Sequence, residues 1–159
     1  MLKSLVRVAL VAAVVIVTML PLTASAAGGP GGGTSNGMTL TIGNPISLQN
    51  HLLITVPVTV TCVAPISVDP TFSQPGGLGV TVEQASKNTV AIGEGNVELD
   101  SCSPAPQTFL VQVTPNLGPT ATAPFHGGPA IVSANGVICD ANFPQTCYFG
   151  STPWQPTKL

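Results

Sequence analysis

Charged residues are scarce in this 159-residue chain: Asp, Glu, Lys and Arg together make up only 6%, and Arg7 is the one arginine. Beyond residue 26 the only cations are Lys87 and Lys158, set against Asp69, Glu83, Glu94, Glu98, Asp100 and Asp140. Nucleic acids and anionic membranes are held by clustered Lys and Arg that release counterions. No such cluster exists here, so neither is expected as a partner. Histidine is nearly as rare, with His51 and His126 alone, and no Gly-x-Ser-x-Gly elbow accompanies them. The sequence therefore offers no recognisable catalytic constellation. It also lacks a C-x-x-C pair, a Gly-Lys-Ser/Thr after its glycine run, and any Asn-x-Ser/Thr sequon past the first 26 residues. These absences count against a zinc motif, a phosphate loop and N-glycosylation. No segment shows a helical hydrophobic period, and no internal repeat is visible.

What is present begins with an export signal over residues 1–26. Lys3 and Arg7 supply the positive start, Val8 to Leu20 the apolar run, and Ala24-Ser25-Ala26 a small-residue cleavage site. The apolar run stops at Pro21, short of the roughly 20 residues that span a bilayer, so cleavage is expected rather than anchorage. The working chain then starts at Ala27 and is long enough for a single core that buries roughly two thirds of its unfolded surface.

Cys62, Cys102, Cys139 and Cys147 are an even set in an exported chain, which predicts two disulfides. Three connectivities are possible. Asn142 and Pro144 favour a reversing loop between Cys139 and Cys147, so that pair is expected to close locally and leave Cys62 to bridge Cys102. In the chain-entropy model these loops stabilise by roughly 2.6 and 4 kcal/mol respectively. Zinc held by these thiols with His126 is the alternative use of the same residues; neither spacing nor compartment supports it, and no cofactor is expected.

Residues 27–37 are dominated by glycine and predict a flexible leader. From Met38 to the end at residue 159, short alternating runs separated by turn residues predict one all-β domain, an antiparallel sandwich of about eight or nine strands. The clearest strand is Leu53 to Cys62, with Ile54, Val56, Val58, Val60 and Cys62 on one face and Thr55, Thr59 and Thr61 on the other. Pro57, which has no N–H to donate, predicts that this strand is partly at an edge or bulged. Further strands are expected at Met38 to Ile42, Ile66 to Asp69, Val80 to Gln84, Thr89 to Ile92, Val97 to Cys102, around Phe109 to Val113, and at Pro129 to Ala134, Val137 to Cys139 and Thr146 to Gly150. Phe109, Val111 and Val113 are expected to face inward, with Gln112 and Thr114 outward.

Five stretches together resemble small secreted Ig-like proteins of Gram-positive and related bacteria. They are Val-Pro-Val-Thr-Val-Thr-Cys at 56–62, Val-Thr-Val-Glu-Gln at 80–84, Cys102, Phe-Leu-Val-Gln-Val-Thr-Pro at 109–115 and Pro-Phe-His-Gly-Gly-Pro-Ala at 124–130. The likeness continues through Cys139 and Cys147 and covers nearly the whole chain after the signal. It implies an Ig-like sandwich and an extracellular setting, and it carries over no catalytic residue. The chain departs from antibody domains in having no Trp after the first cysteine and no Tyr-x-Cys at the second.

Three groups of residues are candidates for chemistry. His126 and His51 sit at turns and are expected to be ordinary turn histidines rather than bases. Glu94, Asn96, Glu98 and Asp100 share one face if extended, offering oxygen ligands of the kind calcium takes. A straight strand spreads them over roughly 20 Å, so an acidic solvated edge is the expected role and no metal site is assigned. Four of the seven aromatic residues, Phe143, Tyr148, Phe149 and Trp154, crowd into the last seventeen positions. They suit either closure of the core or a patch that binds an extracellular protein or glycan. Tyr148 and Phe149 are adjacent in a strand and should point to opposite faces. The resulting expectation is a secreted, monomeric, non-catalytic binding or structural module. The alternatives are a surface subunit assembling by strand exchange and a small secreted hydrolase.

Overall fold

The computed structural model describes residues 32–68, 76–87, 89–116, 123–140 and 145–159. The signal peptide, its cleavage site, Asp69 and Phe143 lie outside these residues. Within them the chain forms twelve strands: β1 (Gly32–Ser35), β2 (Met38–Ile42), β3 (Ser47–Gln49), β4 (Leu53–Cys62), β5 (Ile66–Ser67), β6 (Gly76–Ser86), β7 (Thr89–Leu99), β8 (Ser101–Cys102), β9 (Gln107–Pro115), β10 (Pro129–Cys139), β11 (Cys147–Ser151) and β12 (Gln155–Lys158). All twelve pair antiparallel.

Two sheets face each other across the core. Both are halves of one continuous ten-stranded sheet: the first consists of β1, β2, β3, β4 and β9, the second of β6, β7, β10, β11 and β12, while β5 and β8 make a small separate ladder. The sheets join along one side where Gly93 and Glu94 of β7 pair with Pro115 and Thr114 of β9. On the other side the β1–β2 turn meets β11: the Phe149 amide donates to the Asn36 carbonyl at 3.2 Å, and Gly37 bridges Phe149. The result is a sandwich nearly closed into a barrel, which leaves few strand edges open.

Alternation drives this packing. In β4 every second residue from Ile54 to Cys62 is buried, and these side chains meet Met38, Leu40, Val80, Val82, Val111, Val113, Val132 and Ile138 in one core. Phe109 packs against that core, and Gln112 and Thr114 face outward. Both expected disulfides are formed. Cys62–Cys102 spans a Cα separation of 5.7 Å, and Cys139–Cys147 joins direct register partners on β10 and β11.

Several expectations need correction. The glycine-rich leader is not wholly free, since residues 32–35 form β1 and pair with β2. Backbone hydrogen bonding needs no apolar side chain, so the composition of this stretch hides the strand. Strand β4 is not at an edge: β2 and β3 flank one side and β9 the other. Pro57 is accommodated because β2 ends at Ile42 and β3 resumes opposite Thr55, so its missing donor faces the gap; its carbonyl accepts from Gly43 at 2.8 Å. The acidic segment, by contrast, keeps an open side as expected: β7 pairs with β6 along its whole length but meets β9 only at Gly93 and Glu94, so Asn96 and Glu98 lie on a stretch with no second partner strand.

Glycines read as strand breaks are instead points of close approach. Strand β10 runs straight through Gly136, where an added Cβ would stand 2.9 Å from the Met38 sulfur. Likewise β7 is continuous through Gly93, which lies against the Phe125 ring and the Thr114 carbonyl. Merging these two pairs reduces the ten expected runs to eight, and adding β1, β3, β8 and β12 makes twelve strands, more than the eight or nine expected for the sandwich.

Charge is partitioned between the sheets. Residues 32–68 and strand β9 contain no Asp, Glu, Lys or Arg, and their outward positions are mostly threonine. Every described charged side chain belongs to the second sheet or its loops.

Candidate functional site

The outer face of the second sheet gathers most of the chemically distinctive side chains, and register decides which of them meet. Residues directly opposite share a face. Across β11, β10, β6 and β7, one row reads Phe149, Val137, Gly77, Glu98, and the next reads Ser151, Asn135, Gly79, Asn96. A third row holds Ser133, Thr81 and Glu94. A fourth, starting from β12, holds Pro156, Ile131, Glu83 and Ile92. The sheet therefore presents a wall of amides and carboxylates along β7 and a more apolar wall along β11 and β12.

The apolar wall owes its shape to a break in the edge strand. Strands β11 and β12 both pair with β10, but Ser151 opposes Asn135 while Gln155 opposes Val132. Thr152 holds the junction, its amide donating to the Ala134 carbonyl at 2.8 Å and its hydroxyl accepting from the Ala134 amide at 2.9 Å. Pro153 and Trp154 form the bulge that remains, and bulges re-aim side chains. Trp154 is 48% exposed and Phe149 44%. Tyr148 turns the other way, as the alternation requires, and packs against the core. The four candidate aromatics thus divide: Tyr148 closes the seam, Phe149 and Trp154 remain at the surface, and Phe143 is outside the described residues.

Between the walls, β10 presents Val137, Asn135, Ser133 and Ile131, while beside it the outward positions of β6 begin with the small residues Gly77, Gly79 and Thr81. An added Cβ at Gly77 would meet nothing within 4 Å, so the surface is open there. At Gly79 the side-chain oxygens of Asn96 and Asn135 each stand 3.0 Å from the corresponding point, one from either neighbouring strand. At the far end, Glu83, Ala85, Val90, Pro129, Ile131 and Pro156 line a depression of about 430 Å³. The Cys139–Cys147 bridge braces the near end, next to Val137 and Phe149. Its loop is held by Asp140, whose carboxylate accepts from the Thr146 amide at 2.9 Å and whose carbonyl accepts from the Gln145 side chain at 3.0 Å.

The two histidines act as braces on one loop. Nδ1 of His51 lies 2.9 Å from the Phe125 carbonyl, and the Phe125 amide donates back to the His51 carbonyl at 3.1 Å. The imidazole of His126 has Nε2 3.1 Å from the Ala85 carbonyl and Nδ1 3.1 Å from the Gly127 carbonyl. Gln84, only 1% exposed, accepts from the His126 amide at 2.9 Å and donates to its carbonyl at 2.7 Å. Glu94, Asn96, Glu98 and Asp100 are all exposed. Among the described residues no group of three or more His, Cys, Asp or Glu side chains is placed to hold a metal ion.

Sequence reasoning missed Phe125, Gln84 and the paired glycines. Phe125 stands outside any alternating run, and Gln84 ranks as a polar residue although it is buried. Gly77 and Gly79 did carry a signal, since glycine at alternate positions entering a strand marks a bare face or a close approach.

Two disulfides point to an oxidising compartment, and among the described residues no helix is long and apolar enough to cross a membrane. No protein-family model, no curated protein and no solved structure matches the chain.

Proposed function

We propose that the chain is exported and serves outside the cytoplasm as a non-catalytic binding module, with the outer face of its second sheet as the working surface and an Ig-like character to its sandwich. The observation that carries this reading is the exposure of Phe149 and Trp154 along one wall of a sheet face, opposite amides and carboxylates. Exposed aromatics of this kind are enriched where proteins meet partners. The export signal and the two disulfides support the compartment.

The test is retention of the purified chain from Ala27 onward on an extracellular and cell-surface fraction. Phe149→Ala combined with Trp154→Ala should reduce retention about tenfold or more while leaving the circular dichroism spectrum unchanged. Undiminished retention removes the face from the mechanism. A new hydrolytic activity lost in His126→Ala replaces the reading with an enzymatic one.

A second reading, a self-assembling surface subunit, draws support from the charge partition. An acidic protein with one charge-free sheet can stack copies there without like-charge repulsion. Light scattering of Leu110→Lys against the unmodified chain tests it, because Leu110 is exposed midway along β9 on that sheet.

A further inference from the structure

We infer that the outer face of the second sheet takes a neutral polysaccharide laid along β10, an inference that rests on the binding reading above. A pyranose ring has an apolar C–H face and a hydroxyl-bearing edge, and this sheet face is divided in the same way. The exposed aromatic and proline side chains of Phe149, Trp154 and Pro156 lie along β11, β12 and the bulge between them, while Glu94, Asn96 and Glu98 lie along β7. From β11 to β7 is three strand spacings, roughly 14 Å, a face wide enough for a sugar chain to lie across the exposed Val137 and Ile131 of β10 with its edges toward the aromatic and polar sides.

The polar groups suit hydroxyls better than they suit ions. A hydroxyl both donates and accepts, and the amides of Asn96 and Asn135 do the same, while the carboxylates accept. The two amides converge over Gly79, each with its oxygen 3.0 Å from the position of the missing Cβ. Beside them Gly77 leaves the surface bare, so a flat ring can lie close to the backbone. Residues Val137 and Ile131 sit six positions apart on β10, roughly 20 Å, which is several sugar units. The shallow depression at the Ile131 end supplies an apolar seat for one of them.

Charge settles the class of glycan. Glu83, Glu94 and Glu98 all lie on this face, and a polyanion laid along it meets like charge, since the cations Lys158 and Lys87 stand only at the far end, on β12 and in the β6–β7 turn. Neutral chains carry no such penalty. A cationic peptide is the competing occupant, and it differs in being held by Coulomb attraction that salt screens.

Gly77→Leu gives the decisive variant. Open space surrounds that position and a β-sheet host tolerates the larger side chain, so the substitution fills the bare surface without disturbing the fold. The chain from Ala27 onward is run through native gels containing β-glucan, xylan, mannan or arabinogalactan, and incubated with insoluble cellulose and chitin, at low and high salt. Immobilised poly-lysine and the extracellular fraction serve as parallel probes. The expected result is retardation or retention on at least one neutral polysaccharide, unaffected by salt. Gly77→Leu, and Asn96→Ala with Asn135→Ala, should each weaken it at least about tenfold at an unchanged unfolding midpoint. Gln112→Ala, on the opposite sheet, should leave it intact. Glycan binding that survives in Gly77→Leu overturns the inference. So does binding to poly-lysine or to the extracellular fraction with none to any neutral glycan, an outcome that leaves the binding module standing. No retention on any probe removes both.

Discussion

The ring of Tyr148 lies over Gly37, its Cδ1 2.5 Å from the point a Cβ on that glycine would occupy. Gly37 has a φ of +84°, in the region that side chains rarely adopt, and it turns the chain from β1 into β2. Its carbonyl accepts from the Val63 amide at 2.9 Å, and the carbonyl of Asn36 accepts from the Phe149 amide. One residue thus serves the hairpin, the first sheet and the seam between sheets.

Gly37→Ala should therefore open the seam. The substitution combines backbone strain with a collision against an aromatic ring, and a loss of about 2–4 kcal/mol is expected. Urea denaturation measures the loss, and amide exchange at Phe149 should accelerate beyond the global change. A loss below about 0.5 kcal/mol means that the seam contributes little.

Gln84→Leu tests the brace on the loop that carries Phe125. The leucine fills similar volume but leaves the His126 amide and carbonyl without their partner, and each buried unsatisfied group costs about 1–3 kcal/mol. The expected readouts are a lower unfolding midpoint and faster exchange at the His126 amide. Stability equal to the parent shows that water replaces the side chain.

Removing the disulfides separately should rank them. Cys62 and Cys102 close the longer loop, with a sequence separation of 40 against 8 for Cys139 and Cys147. Replacing the first pair by Ala is expected to cost roughly 4 kcal/mol and the second roughly 2.6 kcal/mol in the chain-entropy model. Cys139 and Cys147 are also held by their own ladder, which makes the second loss an upper value. Chemical denaturation of both double variants checks the order, and equal losses contradict it.

Truncation separates leader from strand. Deleting residues 27–31 should leave a stable monomer, because β1 and β2 are untouched. Deletion through Ile42 removes the buried Met38, Leu40 and Ile42 and exposes one side of β4. Aggregation is the expected consequence, visible by light scattering. Monomers at both lengths show that closure of the barrel is dispensable.

Much of the fold was legible because strand alternation and cysteine spacing are local. The buried set in β4, the opposite headings of Tyr148 and Phe149, and the pairing of Cys139 with Cys147 each depend on a few neighbouring residues. Pro57 misled because its constraint is a missing donor, and only the partner strands reveal that β2 stops where the donor is absent. Gly93 and Gly136 misled for a related reason: glycine marks a turn or a close approach, and the sequence does not say which. Their contacts, Phe125 and Met38, come from remote segments.

By itself the sequence determined the all-β class and the two bridges, since period and loop spacing are written along the chain. Only the tertiary structure decided which side chains share the outer face of the second sheet. Phe149, Asn135, Gly77 and Glu98 come from four strands, and their meeting depends on register, where a slip of one residue moves every side chain to the other face. Register is set by the packing of the whole barrel, from the Tyr148 seam to Phe125 over Gly93, and no single segment contains that information.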